Sequence, residues 1–170
     1  AWLTELFVHS TDLNDDLPIH RWKIFVDAHD GTILEKFDEV RQLAVEGHVT
    51  APVKDEPYGI ATERGLPNVK VAVSGVGNTY TDENGYYSIE IGDASRSVNV
   101  KLEGSYLNTN NANGSDASIT RTVSPGTTEN FSFAGLNSIA GERDTYFHAN
   151  LVHDHAKSID PGLTGADYVM

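Results

Sequence analysis

Apolar and polar residues alternate in short runs along the first quarter of the chain, and this period of two is typical of β-strands. Residues 2–8 and 21–28 predict two strands, and 32–37 predict a third after the His-Asp-Gly turn at 29–31. In the second run one face carries the apolar side chains, namely Trp22, Ile24, Val26 and Ala28. Three strands alone are marginally stable, so residues 1–42 predict a β segment that needs another surface to cover it.

Residues 45–135 carry a denser series of short strands, each bounded by Gly, Pro, Asn or Asp. Five stretches alternate with polar neighbours: Val45/Gly47/Val49, Val69/Val71/Val73, Tyr87/Ile89/Ile91, Val98/Val100/Leu102 and Phe131/Phe133. The stretches 52–65 and 108–116 predict loops. Since no helical period separates the strands, the pattern predicts an antiparallel β-sandwich.

The hydrophobic period becomes helical between residues 138 and 159. One stripe of the predicted helix holds His148, Val152, His155 and Ile159, with Phe147 and Leu151 beside it. Ser138 is the expected N-cap, and the Asp-Pro-Gly sequence at 160–162 the expected stop. Residues 137–170 therefore predict a helix and a tail. The fold class expected for the whole chain is mainly β, with an N-terminal β-hairpin segment, a central sandwich and a C-terminal helix.

Charge and composition exclude several partners. Asp and Glu number 25 against 12 Lys and Arg, a formal net charge of −13, which repels phosphate backbones and anionic lipid. We therefore expect no nucleic acid and no membrane as partner, and no apolar run approaches the ~20 residues of a membrane span. The absence of cysteine excludes disulfides, thiolate zinc sites and cysteine nucleophiles. The chain opens without Met or a signal region and ends abruptly, which indicates a processed or excised segment.

The histidine cluster at 148–155 is the candidate metal site. A helical zinc pair has two histidines at i and i+4, with a glutamate after the first. Val152 stands at i+4 from His148, and Ala149 stands in the place of the glutamate. His148 and His155 share a face but lie about 10.5 Å apart along a helix axis, too far for one ion. We therefore predict no zinc site here.

Calcium and nucleophile motifs are also incomplete. The Asp-x-Asn-x-Asp pattern at 12–16 imitates the start of a calcium loop, but Leu17 and Lys23 replace its essential Gly and Glu. An adventitious calcium ion remains an open alternative there, and residues 82–85 predict a turn before an ion site. No serine lies in a nucleophile elbow and no glycine-rich phosphate loop occurs. We predict no catalytic, cofactor-binding or metal-binding residues.

The central segment resembles a known family. Residues 45–49, 65–71 and 79–87 are similar to the pattern G-x-V, L-P-x-A/V-x-V and T-D-x-x-G-x-Y/F of the carboxypeptidase regulatory-like family. The resemblance covers about half of the chain. It implies a transthyretin-like sandwich of seven strands that serves as a non-catalytic accessory domain.

Each part of this motif has a physical role. Pro67 is expected to start an edge strand, where no backbone donor is needed. Asp82 can accept hydrogen bonds from its own turn while Gly85 takes the left-handed conformation. Tyr87 is expected to fill the sandwich core together with Val71, and Tyr86 to face the other way.

The two flanks resemble secreted zinc metallopeptidases of the thermolysin and fungalysin type. Residues 22–34 are similar to the closing hairpin of their propeptides (the PepSY or FTP type), and residues 142–154 to the first helix of their catalytic domains. The sequence contains no His-Glu-x-x-His motif, so no zinc ligand or catalytic glutamate transfers to this chain. The resemblance implies the order propeptide end (1–42), inserted sandwich (45–135) and catalytic-domain start (137–170).

The favoured function is therefore a non-catalytic segment of a secreted, extracellular zinc metallopeptidase precursor, with the sandwich as spacer, folding aid or partner-docking module. Zinc is expected in a catalytic domain outside this segment, and the expected partners are that domain, another protein or a second copy of the chain. The alternative is a stand-alone cell-surface or polysaccharide-binding sandwich. Aromatic residues exposed on one face would favour it, the candidates being Tyr58, Tyr80, Tyr86 and Tyr106. A small metal-dependent enzyme on the 148–155 helix is a third hypothesis, which the histidine spacing disfavours.

Overall fold

The computed structural model describes residues 2–9, 19–38 and 43–167. Its compact units divide between residues 42 and 43. The first unit holds an antiparallel sheet in the order β1-β2-β3, with strands Trp2–His9, Ile19–Val26 and Ile33–Asp38. The predicted N-terminal hairpin and its third strand are thus confirmed.

The turn between β2 and β3 differs slightly from the prediction. Ala28 lies in the turn and is exposed, so it does not extend the apolar face of β2, because the strand already ends at Val26. Gly31 has a φ of 75°, which supplies the expected left-handed turn residue. The pKa of Asp30 is lowered because its carboxylate accepts hydrogen bonds from the backbone and side chain of Thr32. The calcium-like pattern at 12–16 lies outside the described residues.

Two further four-stranded sheets make up most of the second unit. Its strands are β4 Ala44–Val53, β5 Thr62–Gly65, β6 Val69–Val73, β7 Gly77–Tyr80, β8 Tyr86–Glu90, β9 Arg96–Gly104, β10 Ser118–Val123 and β11 Phe131–Ser132. One sheet has the order β10-β9-β6-β7. In the other, β4 pairs with β11, with β5 and with β8. These pairings are antiparallel except that of β11 with β4, which is parallel.

Both sheets of the second unit contribute to one apolar core. Every second residue of β4 is buried, as the period of two predicts. The fully buried members of the core come from both sheets and include Val45, Val49, Val71, Val98, Val100, Tyr87, Phe131 and Phe133. Each large apolar side chain buried in this way contributes roughly 1.5–3 kcal/mol. The interior is therefore built from the positions at which the sequence alternates.

Two predictions about the strands are wrong in detail. Residues 52–65 are not a continuous loop, because β4 continues to Val53 and β5 begins at Thr62. Pro67 does not start an edge strand: it lies in a turn before β6, and β6 is an inner strand between β9 and β7. Asn68 closes that turn with a φ of 59°. The prediction failed because β7 pairs with β6 and makes it an inner strand, although the polar sequence of β7 shows no strand pattern.

The turn between β7 and β8 has the predicted geometry. The carboxylate Oδ1 of Asp82 accepts hydrogen bonds of 2.8 Å from the backbone amides of Asn84 and Tyr86. Gly85 has a φ of 77°, and a Cβ there would collide with the carbonyl of Val49. This turn fixes the register in which Tyr87 enters the core.

The predicted helix, α1, runs from Ala140 to Ile159. Asp160 is its C-cap, so the helix stops at the Asp-Pro-Gly sequence as expected. Its start differs from the prediction, because Ile139 and not Ser138 is the N-cap. The carboxylate of Glu142 satisfies the free amide of Ile139 at 3.0 Å. Ser138 instead accepts a hydrogen bond from the guanidinium of Arg143.

Candidate binding site at the helix

The buried face of α1 is polar, which the sequence pattern did not predict. Glu142, Tyr146 and Asn150 follow one another at intervals of four residues and are almost fully buried. The predicted apolar stripe is not the buried face of the helix, since Val152 is 69% exposed and Ile159 73% exposed. The helix is rotated because the neighbouring loops and strand ends present backbone groups that require polar partners.

The N-terminal half of α1 is attached to such backbone groups. Glu142 accepts a hydrogen bond of 3.0 Å from the amide of Ala117. Arg143 donates from Nε to the carbonyl of Pro52 at 3.1 Å, and Asp144 accepts from the amide of Lys54 at 3.0 Å. Hydrogen bonds to charged groups are stronger than neutral ones, so these contacts fix both the position and the rotation of the helix.

His148 continues this line of contacts. Its Nε2 lies 2.7 Å from the carbonyl oxygen of Lys54. A carbonyl can only accept, so Nε2 carries the proton of this hydrogen bond. The first histidine of the candidate metal cluster is thus used to attach α1 to the end of β4.

The middle of α1 lies against the turn at Asn68 and the end of β9. Asn68 donates through Nδ2 to Oδ1 of Asn150 at 3.1 Å, and Asn150 donates to the carbonyl of Tyr146 at 2.9 Å. Burial raises the pKa of the Tyr146 hydroxyl. A Cβ at Gly104 would collide with that hydroxyl and with the carbonyl of Asn68. The close approach of helix and strand therefore depends on glycine at this position.

A groove of about 480 Å³ lies beside α1. Its lining is mainly apolar and includes Tyr106, Leu107, Ala149, Val152 and His153. The rings of Tyr106 and His153 stack at a centroid distance of 3.7 Å and an angle of 19°. Pockets of roughly 300–1,000 Å³ are the usual size of small-ligand sites. The groove can thus receive an apolar group of ligand or side-chain size.

His153 connects this groove to a set of polar contacts near the C-terminal end of α1. His153 lies between two carboxylates, with Nδ1 at 2.9 Å from Asp154 and Nε2 at 3.4 Å from Asp167. Lys157 donates to Asp167 at 2.9 Å, and this hydrogen bond is the main reason why the pKa of Asp167 is lowered. The short 3₁₀ turn Thr164–Ala166 is held to the helix by these contacts.

The outer side of α1 carries an apolar surface, which we name the outer stripe: Leu151, Val152 and Ile159. Phe147 is the one residue of the predicted apolar set that reaches the core, where it is half-buried against the sheets. The three residues of the outer stripe are thus not buried against the sheets of the second unit. The outer stripe leaves apolar side chains exposed along the solvent side of the helix.

The histidines of the cluster do not converge. His148 contacts β4, His153 lies in the groove, and His155 is exposed. Within the described residues, no group of three His, Cys, Asp or Glu side chains could hold a metal ion.

The candidate tyrosines lie on different surfaces. Tyr58 is in the loop between β4 and β5, Tyr80 is on β7, and Tyr86 is on β8 of the other sheet. Tyr86 donates to Glu46 at 2.9 Å, which raises its pKa. Tyr106 is half-buried in the groove. They do not form one aromatic face.

The polar anchors of α1 were missed by the sequence analysis. The only signal was the i, i+4, i+8 spacing of Glu142, Tyr146 and Asn150, which a search for apolar stripes passes over.

Comparison with protein-family models gives no match, and neither does comparison with curated proteins. Among the described residues, no helix is long and apolar enough to cross a membrane.

Proposed function

We propose that this chain is a non-catalytic segment of a secreted zinc metallopeptidase precursor. The unit that begins at residue 43 is a transthyretin-like sandwich whose role is to dock the catalytic domain. Zinc belongs to that domain, and no residue of this chain is assigned to it. The N-terminal sheet is the end of the propeptide.

One observation carries this proposal. Helix α1, whose sequence resembles the first helix of the peptidase catalytic domain, is attached to the sheets by its polar face and exposes an apolar face. Leu151 is 47% exposed, and Val152 and Ile159 considerably more. Burial of each such side chain would contribute roughly 1.5–3 kcal/mol, a strong reason for a further domain to cover them.

The arrangement of strands also supports the transthyretin-like assignment. Two four-stranded sheets share one core, and the motif residues Asp82, Gly85 and Tyr87 have the roles expected of them. Two features depart from the implied pattern: among the described residues the second unit has eight strands instead of seven, and β11 pairs in parallel with β4. The alternative, a stand-alone polysaccharide-binding module with an aromatic face, is not favoured by tyrosines on separate surfaces.

The first test reads the natural gene product past residue 170. A His-Glu-x-x-His motif on a helix within about 100 residues is expected. An unrelated domain in that place would contradict the proposal.

The second test uses the secreted precursor with the double substitution Leu151→Ser and Val152→Ser. Loss of the docking surface should lower the yield of active peptidase, measured by casein hydrolysis in the culture medium. Tyr58→Ser, which removes an exposed aromatic residue elsewhere, is the matched control. Equal activity of the double variant and the control would contradict a docking role for the outer stripe.

A further inference from the structure

The solvent face of the sheet β10-β9-β6-β7 carries a polar depression. Cross-strand pairing aligns one row of residues over all four strands: Asn78, Ala72, Asn99 and Thr120. With neighbouring strands about 4.8 Å apart, this row spans about 14 Å. Directly paired residues share a face, so the four side chains point to the same side.

The small side chain of Ala72 forms the floor of this depression, which has a volume of about 130 Å³. Lys70, Asn99, Lys101 and Glu103 surround it. Lys70 and Glu103 are 3.2 Å apart, so the depression offers an ammonium donor next to a carboxylate acceptor. Such a pair can bind the two functions of a hydroxyl group, which donates one hydrogen bond and accepts others.

Two hydroxyl groups of the neighbouring strand β10 hold the side chain of Asn99 in place. Its Nδ2 donates to Oγ of Ser118 at 3.0 Å and to Oγ1 of Thr120 at 2.7 Å. Both hydroxyls therefore accept from Asn99 and keep their hydrogen atoms for donation outward, while the amide oxygen of Asn99 keeps its acceptor capacity. The row thus presents donors and acceptors in close alternation on a rigid sheet.

Tyr80 adds an apolar platform beside these polar groups. It is the cross-strand partner of Lys70 and is 43% exposed. A tyrosine ring exposed at one edge combines a flat apolar face with a polar tip, which suits the mixed surface of a sugar ring.

We propose that this sheet face is a binding site for a neutral polysaccharide. The net charge of −13 of the whole chain disfavours a polyanion, and the lining of two lysines, one glutamate and Asn99 supplies both donors and acceptors to hydroxyl groups. The site lies on a different element from the outer stripe and does not depend on the peptidase proposal.

Affinity electrophoresis of the whole chain tests the site. Native gels contain hydroxyethylcellulose, barley β-glucan, xylan or galactomannan, and a fifth gel contains polygalacturonate. We expect retardation by at least one neutral polymer, with little change when salt is added. Asn99→Ala and Tyr80→Ala should each weaken binding at least about tenfold, the equivalent of about 1.4 kcal/mol.

Ala72→Leu, which fills the depression, should have the same effect. Thr122→Leu is its control, because it places the same apolar side chain at an exposed position of the edge strand β10. Denaturation midpoints identify any variant that has lost its fold. If Ala72→Leu is such a variant, the proposal is tested by the binding of Asn99→Ala instead. No retardation in the four neutral gels, retardation by polygalacturonate alone, or equal binding by Ala72→Leu and Thr122→Leu would each overturn the proposal.

Discussion

Two adjacent tyrosines of β8 have opposite environments. Tyr87 is 1% exposed, lies 6.0 Å from the ring of Phe131 and donates its hydroxyl to the carbonyl of Glu129 at 2.8 Å. Burial raises its pKa. Tyr86 faces solvent and is 36% exposed. The sequence predicted this alternation because it depends only on the period of two and on a local turn.

The first prediction compares these two tyrosines. Replacing Tyr87 with Ala should lower the free energy of unfolding by roughly 3–5 kcal/mol, because it leaves a cavity in the core. Tyr86→Ala should cost less than about 1 kcal/mol. Urea denaturation midpoints measure both, and equal losses would show that the register of β8 is reversed.

Glycine at position 47 is required for a different reason. A Cβ there would collide with the backbone carbonyl of Glu129, next to β11. Gly47→Ala should therefore destabilise the protein by about 2–3 kcal/mol. Gly141→Ala is the control: no atom lies within 4 Å of its Cβ, and alanine favours a helix by about 0.5–1 kcal/mol. Stabilisation by both changes, measured by thermal denaturation, would contradict the close approach of the chain at Gly47.

At the scale of elements, strands with strong apolar alternation were predictable and polar ones were not. In β4, β6 and β9, buried residues recur at every second position, and most of them are valines. β5 (Thr-Glu-Arg-Gly) and β7 (Gly-Asn-Thr-Tyr) lack this pattern and form through backbone pairing with the strands that precede them, β4 and β6. The candidate site shares this limit, because the orientation of α1 depends on backbone groups of distant segments.

The contact between α1 and the 3₁₀ turn should depend on pH. The pKa of Asp167 is lowered by its hydrogen bonds with Lys157 and His153. Its contribution to stability is therefore complete above the ordinary carboxyl range and is lost as the pH falls through the lowered pKa. The protection of amides in the segment Thr164–Ala166, taken as the ratio of the intrinsic to the observed exchange rate at each pH, should fall in that range.

Two variants test whether protonation of Asp167 causes this change in the 3₁₀ turn. Asp167→Asn should raise exchange in the 3₁₀ turn already at neutral pH, while Asp93→Asn, on the loop between β8 and β9, should leave it unchanged. An acid transition that persists in Asp167→Asn would assign the effect to another group.

At the scale of the whole molecule, the chain has a β-sheet unit before residue 43 and a larger unit after it that includes the helix. The sequence predicted the composition of these parts from hydrophobic periods. It could not predict that α1 belongs to the sheets, because the contacts of Glu142 and Asn150 join residues 25 and 82 positions apart. The outer stripe follows from those contacts.

We expect no peptidase activity from the isolated chain. Zinc-assisted hydrolysis requires three protein ligands and a general base around an open coordination position. Incubation with casein or a quenched peptide in the presence of added zinc should give no turnover. Turnover that a chelator abolishes would contradict the account.

Hydrogen exchange of the isolated chain across a dilution series tests the central claim most directly: α1 is attached to the sheets by its polar face, and the outer stripe stays exposed. Short helices are marginal on their own, so protection of residues 151–156 requires a docked helix. The account predicts strong protection that is independent of protein concentration and of zinc, and unchanged in the Leu151→Ser, Val152→Ser double variant. Protection that is lost on dilution, or that occurs only with zinc, would contradict it.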